Sequence, residues 1–166
     1  MSRGVRIGVD VGLARVGVAH SDPDALLASP WKTLKRDTKK DSDLRVLVNY
    51  IQELQAVTAY VGLPRSMKGG ETASTTMARE YATVLQRRLQ DAGAATEVRL
   101  VDERLTTVSA HKDLHAAGVD IRDHRRVVDQ VAAVAILQQA IDMEKSLQRD
   151  VGAVVETPND RQTDQD

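Results

Sequence analysis

Cysteine and phenylalanine are both missing from this 166-residue chain, and its aromatic residues amount to one Trp and three Tyr. Without cysteine there is no disulfide framework and no thiolate chemistry, and a reducing, cytoplasmic setting fits. With aromatics at 2% of the residues, a base-stacking platform of the kind single-strand binders use is not expected. No apolar run approaches a membrane span, and the first residues lack the apolar stretch of a secretory signal. A strong charge of one sign is lacking too, since 23 basic against 24 acidic residues leave −1. That near-neutrality conceals a division. Residues 150–166 carry five acids against Arg161 alone, a net of −4, which leaves +3 on the preceding 149 residues. Such a body can bind nucleic acid locally, although its charge does not demand it. The predicted organisation is one domain over residues 1–149 and an acidic, disordered tail over 150–166.

What is present is aliphatic: 42% of the residues are hydrophobic, enough for a sizeable core. The stretch from Val5 to Ser21 reads as two strands joined by a tight turn at Gly12–Arg15. Its first strand alternates Val5, Ile7, Val9 and Val11 with Arg6, Gly8 and Asp10. Small or apolar residues on both faces place such a strand in the middle of a sheet covered on both sides. Asp10 is then a carboxylate in a strand where burial is costly, which a metal, a phosphate or a donor network would justify. A turn-forming Asp beside Gly12 is the plainer alternative.

Further along, Ser29–Leu34 suits a short edge strand because of Pro30. Asp41 or Ser42 is the expected cap of a helix with Leu44, Leu47, Val48, Ile51 and Leu54 at helical spacing. A buried strand over 59–63 ends at Pro64, and the basic loop 65–71 is expected to be mobile. A helix from about Thr72 to Asp91, a last strand over 98–101, a helix from Thr106 or Thr107 to Ala117, and a final helix over roughly 127–147 complete the reading. Strands first and strand–helix alternation afterwards predict an α/β fold, a mixed sheet with helices on both faces. Functional groups gather at the carboxyl ends of strands in such sheets, where Asp10, Pro64–Gly70 and Asp102/Glu103 fall.

Four segments appear in order: Gly8-Val9-Asp10-Val11-Gly12, Val61-Gly62-Leu63-Pro64, Asp102-Glu103-Arg104-Leu105-Thr106-Thr107 and Asp129-Gln130-Val131-Ala132-Ala133-Val134-Ala135-Ile136-Leu137. Over about residues 4–143 the chain resembles the YqgF/RuvX family, described as Holliday-junction resolvases and as nucleases that trim the 5′ end of pre-16S rRNA. The resemblance implies a ribonuclease H-like fold with a five-stranded mixed sheet and a divalent-metal nuclease site. By motif match its acids would be Asp10, Glu103 and Asp129, serving both catalysis and metal binding. Hard Mg²⁺ or Mn²⁺ ions want carboxylate oxygens, and no cysteine or histidine cluster offers a zinc alternative. Alternation groups Glu103 with Arg99 and Val101 and sets Asp102 with Val98 and Leu100, and Glu has the longer reach across an intervening strand. Glu103 is therefore preferred, with the two roles open to exchange.

Arg65, Lys68, Arg104, Arg125 and Arg126 are the candidate nucleic-acid contacts, each equally readable as a solvated charge. Arg122 and His124 belong to the same basic stretch. His20 suits a strand end better than a general base, and Trp31 and the tyrosines suit packing. The expected substrate is pre-16S rRNA or branched DNA, and the chain would be a monomer or a non-covalent homodimer. Two other readings stay open: half of an actin-like or sugar-kinase ATPase, which needs two such domains, and a ribosome-assembly factor with little hydrolytic activity.

Overall fold

A computed structural model describes residues 3–103 and 121–155, with the backbone alone for 121–129. Strands β1 (Arg6–Val11) and β2 (Arg15–Ser21) form the antiparallel hairpin that the alternation predicts, Val9 facing Val18. β3 (Ala28–Lys35) pairs antiparallel with β2 and ends the sheet on that side, where Pro30 is tolerated because an edge strand needs no second row of amide donors. Helix α1 (Ser42–Leu54) returns the chain to β4 (Thr58–Leu63), parallel to β1. α2 (Ala73–Asp91) does the same for β5 (Glu97–Asp102), parallel to β4. Next among the described residues come α3 (Ile121–Leu147) and a two-residue strand β6 (Ala153–Val154) antiparallel to β5. The spatial order is β3-β2-β1-β4-β5-β6.

The two faces of the sheet are packed differently. On one, Ile7, Val9, Val11, Val16 and Val18 meet Leu44, Leu47 and Ile51 of α1 and Leu85 and Leu89 of α2. On the other, Ala19 and Tyr60 meet Ala133, Ile136, Leu137, Ala140 and Ile141 of α3. This second layer is thin because its residues are small. A Cβ added to Gly8 would stand 2.6 Å from the Ala133 carbonyl oxygen and 2.7 Å from Leu137 Cβ. The helix therefore rests on the backbone of β1.

Local chemistry sets the helix starts. Asp41 occupies the cap position of α1 but is left-handed (φ 53°) and caps nothing with its side chain. Asp37 instead orders the turn that leads into the helix: its carboxylate accepts from the Lys39 and Lys40 amides at 3.2 and 3.1 Å and from Ser42 Oγ at 2.6 Å. These bonds, the Ser42 hydroxyl foremost, hold Asp37 down to about 2 from its ordinary 3.8. Asp43 is turned inward, accepting from Arg36 Nη1 at 2.9 Å and Tyr81 OH at 3.0 Å, and so ties α1 to α2 and the end of β3. Burial beside Asp43 pushes the Tyr81 hydroxyl far up, so it remains a donor. Thr72 caps α2 in a reciprocal box with Thr75.

Three expectations change. The sheet has six strands, because the segment after α3 pairs with β5. α3 begins at Ile121, so the basic stretch before Asp129 is helical backbone. The acidic segment is not separate from residue 150 onward, since Val151 and Val155 are buried and the Val155 amide donates to the Val98 carbonyl at 3.0 Å. The predicted helix over 106–117 and the tail beyond 155 lie outside the described residues.

Deleting residues 150–166 is expected to cost about 2–4 kcal/mol, the loss of two buried valines, read as a lower midpoint in urea. A second expectation concerns acid. The folded pKa of Asp37 lies below the unfolded one, so its contribution is complete above about pH 4 and is lost as pH falls towards 2. Acid unfolding followed by circular dichroism should lose that component in Asp37→Asn.

Candidate active site at the carboxyl ends of the parallel strands

Asp10 is the fifth residue of β1 and alternates with Val9 and Val11, so it shares the α3 face with Gly8. Its partner across β2 is Gly17. On β4 its neighbour is Gly62, one residue beyond the Val9–Val61 pair. Neither neighbour has a side chain, so the half-buried Asp10 carboxylate stands in a cleared strip of sheet.

The next strand supplies the second acid. Gly62 pairs with Val101 on β5, and Glu103 follows two residues later on the same face. Glu103 is 8% exposed, and its Oε2 lies 3.2 Å from where a Cβ on Gly62 would stand. The glutamate reaches back over the missing side chain toward β1, which is one strand spacing, about 4.8 Å, further on. Val98 and Leu100 pack in the α1–α2 core, so Asp102, in phase with them, belongs to the opposite face.

The third position arrives on α3, which runs antiparallel to β1. Gln130 Nε2 donates to Thr33 Oγ1 at 3.1 Å, and Thr33 pairs with Gly17 in the same row as Asp10. Ala133 lies over Gly8. Position 129 is four residues before Ala133, just over one helical turn and about 6 Å toward the carboxyl ends. The side chain of Asp129 lies outside the described residues, among which no three metal-ligating side chains cluster.

The loop after β4 closes on itself through hydrogen bonds. The Ser66 amide donates to the Gly70 carbonyl at 2.9 Å, the Gly69 amide returns to Ser66 at 2.8 Å, and Thr75 Oγ1 anchors the Pro64 carbonyl. Lys68 is exposed at its tip. Arg65 is half-buried, with a long contact from Nη1 to the Gly69 carbonyl at 3.4 Å and a buried Nε that has no hydrogen-bond partner among the described residues. Arg104 lies outside the described residues, and of Arg125 and Arg126 only the backbone is described.

At the other end of β2, His20 Nδ1 meets the Tyr50 hydroxyl, and Trp31 stacks on Tyr50 with centroids 3.5 Å apart. These groups pack the α1 face and are remote from the acids. A groove of about 600 Å³ bounded by Arg6, Thr58, Thr96 and Glu97 opens at the amino ends of the strands, away from this chemistry.

Sequence reasoning passed over Gly17 and Gly62 as participants. The available signal was a side-chain-free residue at mid-strand on each side of a lone acid.

With that geometry in hand, the comparison with known proteins is informative. A family model described as "RuvX: Holliday junction resolvase" matches residues 4–143. The chain belongs to the RuvX family. Two RuvX relatives carry the name "Putative pre-16S rRNA nuclease". One, from Mycobacterium tuberculosis (strain H37Ra), is 51% identical over 140 residues, 84% of this chain and 79% of its own. The other, from Mycobacteroides abscessus, is 45% identical over 143 residues, 86% of this chain and 84% of its own. Among solved structures, T. thermophilus RuvC in complex with Holliday junction substrate aligns with a TM-score of 0.54 at 12% identity, covering 91% of this chain and 99% of that one. That likeness identifies the RuvX fold as ribonuclease H-like.

Two substitutions test the cleared strip. Gly8→Ala meets helix backbone and should cost about 1–3 kcal/mol in urea unfolding, because the helix must lift. Gly62→Ala meets the flexible tip of Ile136 at 2.5 Å and the Glu103 carboxylate, so the fold should tolerate it better. Its cost should appear in nucleic-acid cleavage, as a tenfold or greater loss of rate.

Proposed function

We propose that this chain is a divalent-metal-dependent nuclease that hydrolyses phosphodiester bonds in processing the 5′ end of pre-16S rRNA. The observation that carries the reading is the Glu103 carboxylate lying over side-chain-free Gly62, beside the strand that bears Asp10. Two carboxylates on adjoining strips of one face repel unless a cation lies between them or one is protonated. Their oxygens suit a hard cation of the Mg²⁺ or Mn²⁺ type, and Asp129, on the helix that covers this face, would be the third oxygen donor.

Asp10, Glu103 and Asp129 would hold the metal, which supplies an activated water and neutralises charge on the leaving oxygen. The rest is positioning by the protein. Arg65 and Lys68, with Arg104, Arg125 and Arg126, would hold phosphates on either side of the scissile bond and keep the strand in register. The names of the close relatives favour pre-16S rRNA as substrate. The family description and the fold shared with a junction-bound resolvase favour branched DNA as the second reading. Paired cuts in a four-way junction would require two sites related by a two-fold axis, hence a homodimer, whereas trimming one rRNA end needs only a monomer. No described helix is long and apolar enough to cross a membrane, and a cytoplasmic nuclease is the location we propose.

One preparation offered both a pre-16S 5′-end RNA and a four-way DNA junction, with Mg²⁺ or Mn²⁺, decides between the substrates. Cleavage of neither would leave a non-hydrolytic assembly factor. Asp10→Asn should abolish cleavage while leaving the metal-free melting temperature equal or higher, because a half-buried charge is removed. Asp129→Asn should raise the metal concentration needed for half-maximal cleavage at least tenfold and weaken metal-induced stabilisation. Unchanged metal dependence would remove Asp129 from the site.

A further inference from the structure

We propose that the corner where β3 turns into α1 is a phosphate-binding surface, which carries a length of the substrate nucleic acid beyond the acids. The inference rests on the nucleic-acid reading above and extends it to residues outside the four motifs.

Residues 32–45 hold six cations and three acids, a net of +3, which is the whole positive excess of residues 1–149. Charges mixed in sequence in this way normally neutralise one another across a solvated face. Here the fold separates them. Asp43 is buried against Arg36 and Tyr81, and Asp41 takes Arg36 at 3.0 Å and Arg88 at 3.6 Å. Asp37 is spent on the Lys39 and Lys40 amides and the Ser42 hydroxyl. Its carboxylate therefore fixes the backbone of the two lysines and leaves their side chains outside. Lys35, Lys39, Lys40 and Arg45 are all exposed, and none enters an ion pair among the described residues. Lys32 is exposed as well, its Nζ lying 5.8 Å from the centre of the Trp31 ring. The acids of the segment build the turn, and its cations face water.

The place suits a polyanion. β1 and β3 are both antiparallel to β2, so the Lys35 end of β3 lies at the same end of the sheet as Asp10. The Arg36 amide donates to the Ala14 carbonyl at 2.9 Å, which sets the corner beside the hairpin turn that follows β1. Two strand spacings, about 10 Å, separate β3 from β1. A strand lying on the acids can therefore continue across this corner, where four cations without ion-pair partners raise the local potential.

The test is fluorescence anisotropy in EDTA, which prevents cleavage, over 50–300 mM KCl, with a labelled 20-nucleotide RNA and a labelled four-way DNA junction as probes. The double variant Lys39→Gln, Lys40→Gln should weaken the tighter probe about five- to thirtyfold near 100 mM salt. It should also flatten the log Kd–log salt slope by about 1.4–1.8, the value for two lost phosphate contacts. Lys39→Arg, Lys40→Arg should keep both. The melting temperature should match the parent's, because Asp37 holds the lysine amides and not their side chains. If it falls, Arg45→Gln takes the place of the double variant and should flatten the slope by about half as much. A matched control, Lys145→Gln with Arg149→Gln, removes the same charge from exposed positions at the end of α3 and should leave the slope unchanged. A parent slope in the Lys39–Lys40 variant, or an equal loss in the control, would overturn the surface while leaving the nuclease reading in place. The expected losses in a chain whose parent cleaves nothing would support the surface and remove the nuclease reading. A parent that binds neither probe would overturn both.

Discussion

The structure depends on how closely α3 can approach β1. A helix normally rides on a sheet over a layer of side chains, but here the Ala133 carbonyl fills the space a Cβ on Gly8 would need. Alanines at 132, 133 and 140 keep the contact side of the helix shallow, while the opposite face of the sheet is packed with valine, leucine and isoleucine. The asymmetry matters because the proposed metal site requires a helix seated this low if Asp129 is to join Asp10 and Glu103. Glycine and alanine add little hydrophobic stabilisation themselves. The bulky α1–α2 face supplies it, leaving the α3 face free to be shaped by proximity.

That seat is held at both ends by polar contacts. Near the acids, Gln130 bonds Thr33 on β3. At the far end, Glu144 and Arg6, both almost wholly buried, stand 3.7 Å apart, and Gln138 Oε1 accepts from the Ala28 amide between them. Burial raises the Glu144 carboxyl above its ordinary value despite Arg6, which marks the pair as a fixture of orientation more than a source of stability. A helix fixed at two points cannot slide along the strand.

The cleared strip solves a problem of reach. β5 lies two strands from β1, and a carboxylate must cross β4 to meet Asp10. Glycine at 62 removes the obstacle, and glutamate at 103 has the length to use the gap. Cations gather around this strip without filling it. Arg36 and Arg99 are engaged with Asp43 and Glu97, whereas Lys35 and Lys68 face solvent. Charge that is already paired builds the fold, and charge left open is available to a polyanion.

How much could be read in advance follows from the range of the interactions. Alternation in β1 and β2, the helical spacing of α1 and the Thr72 start of α2 are local, and the structure repeats them closely. Four short motifs in order were enough for the family, because their identities and spacing are written in the chain itself. Phase along β5 sets Glu103 and Asp102 on opposite faces, and alternation is legible because it is a property of one strand. Pairings between distant segments were not legible. Val151 and Val155 closing the sheet through β6, and Lys35 set against Arg15, each depend on register between segments. The meaning of Gly17 and Gly62 lies furthest out of reach of the sequence. A glycine in a strand is only a weak point until the fold places an acid beside it, and then the absent side chain becomes space that the Glu103 carboxylate reaches over.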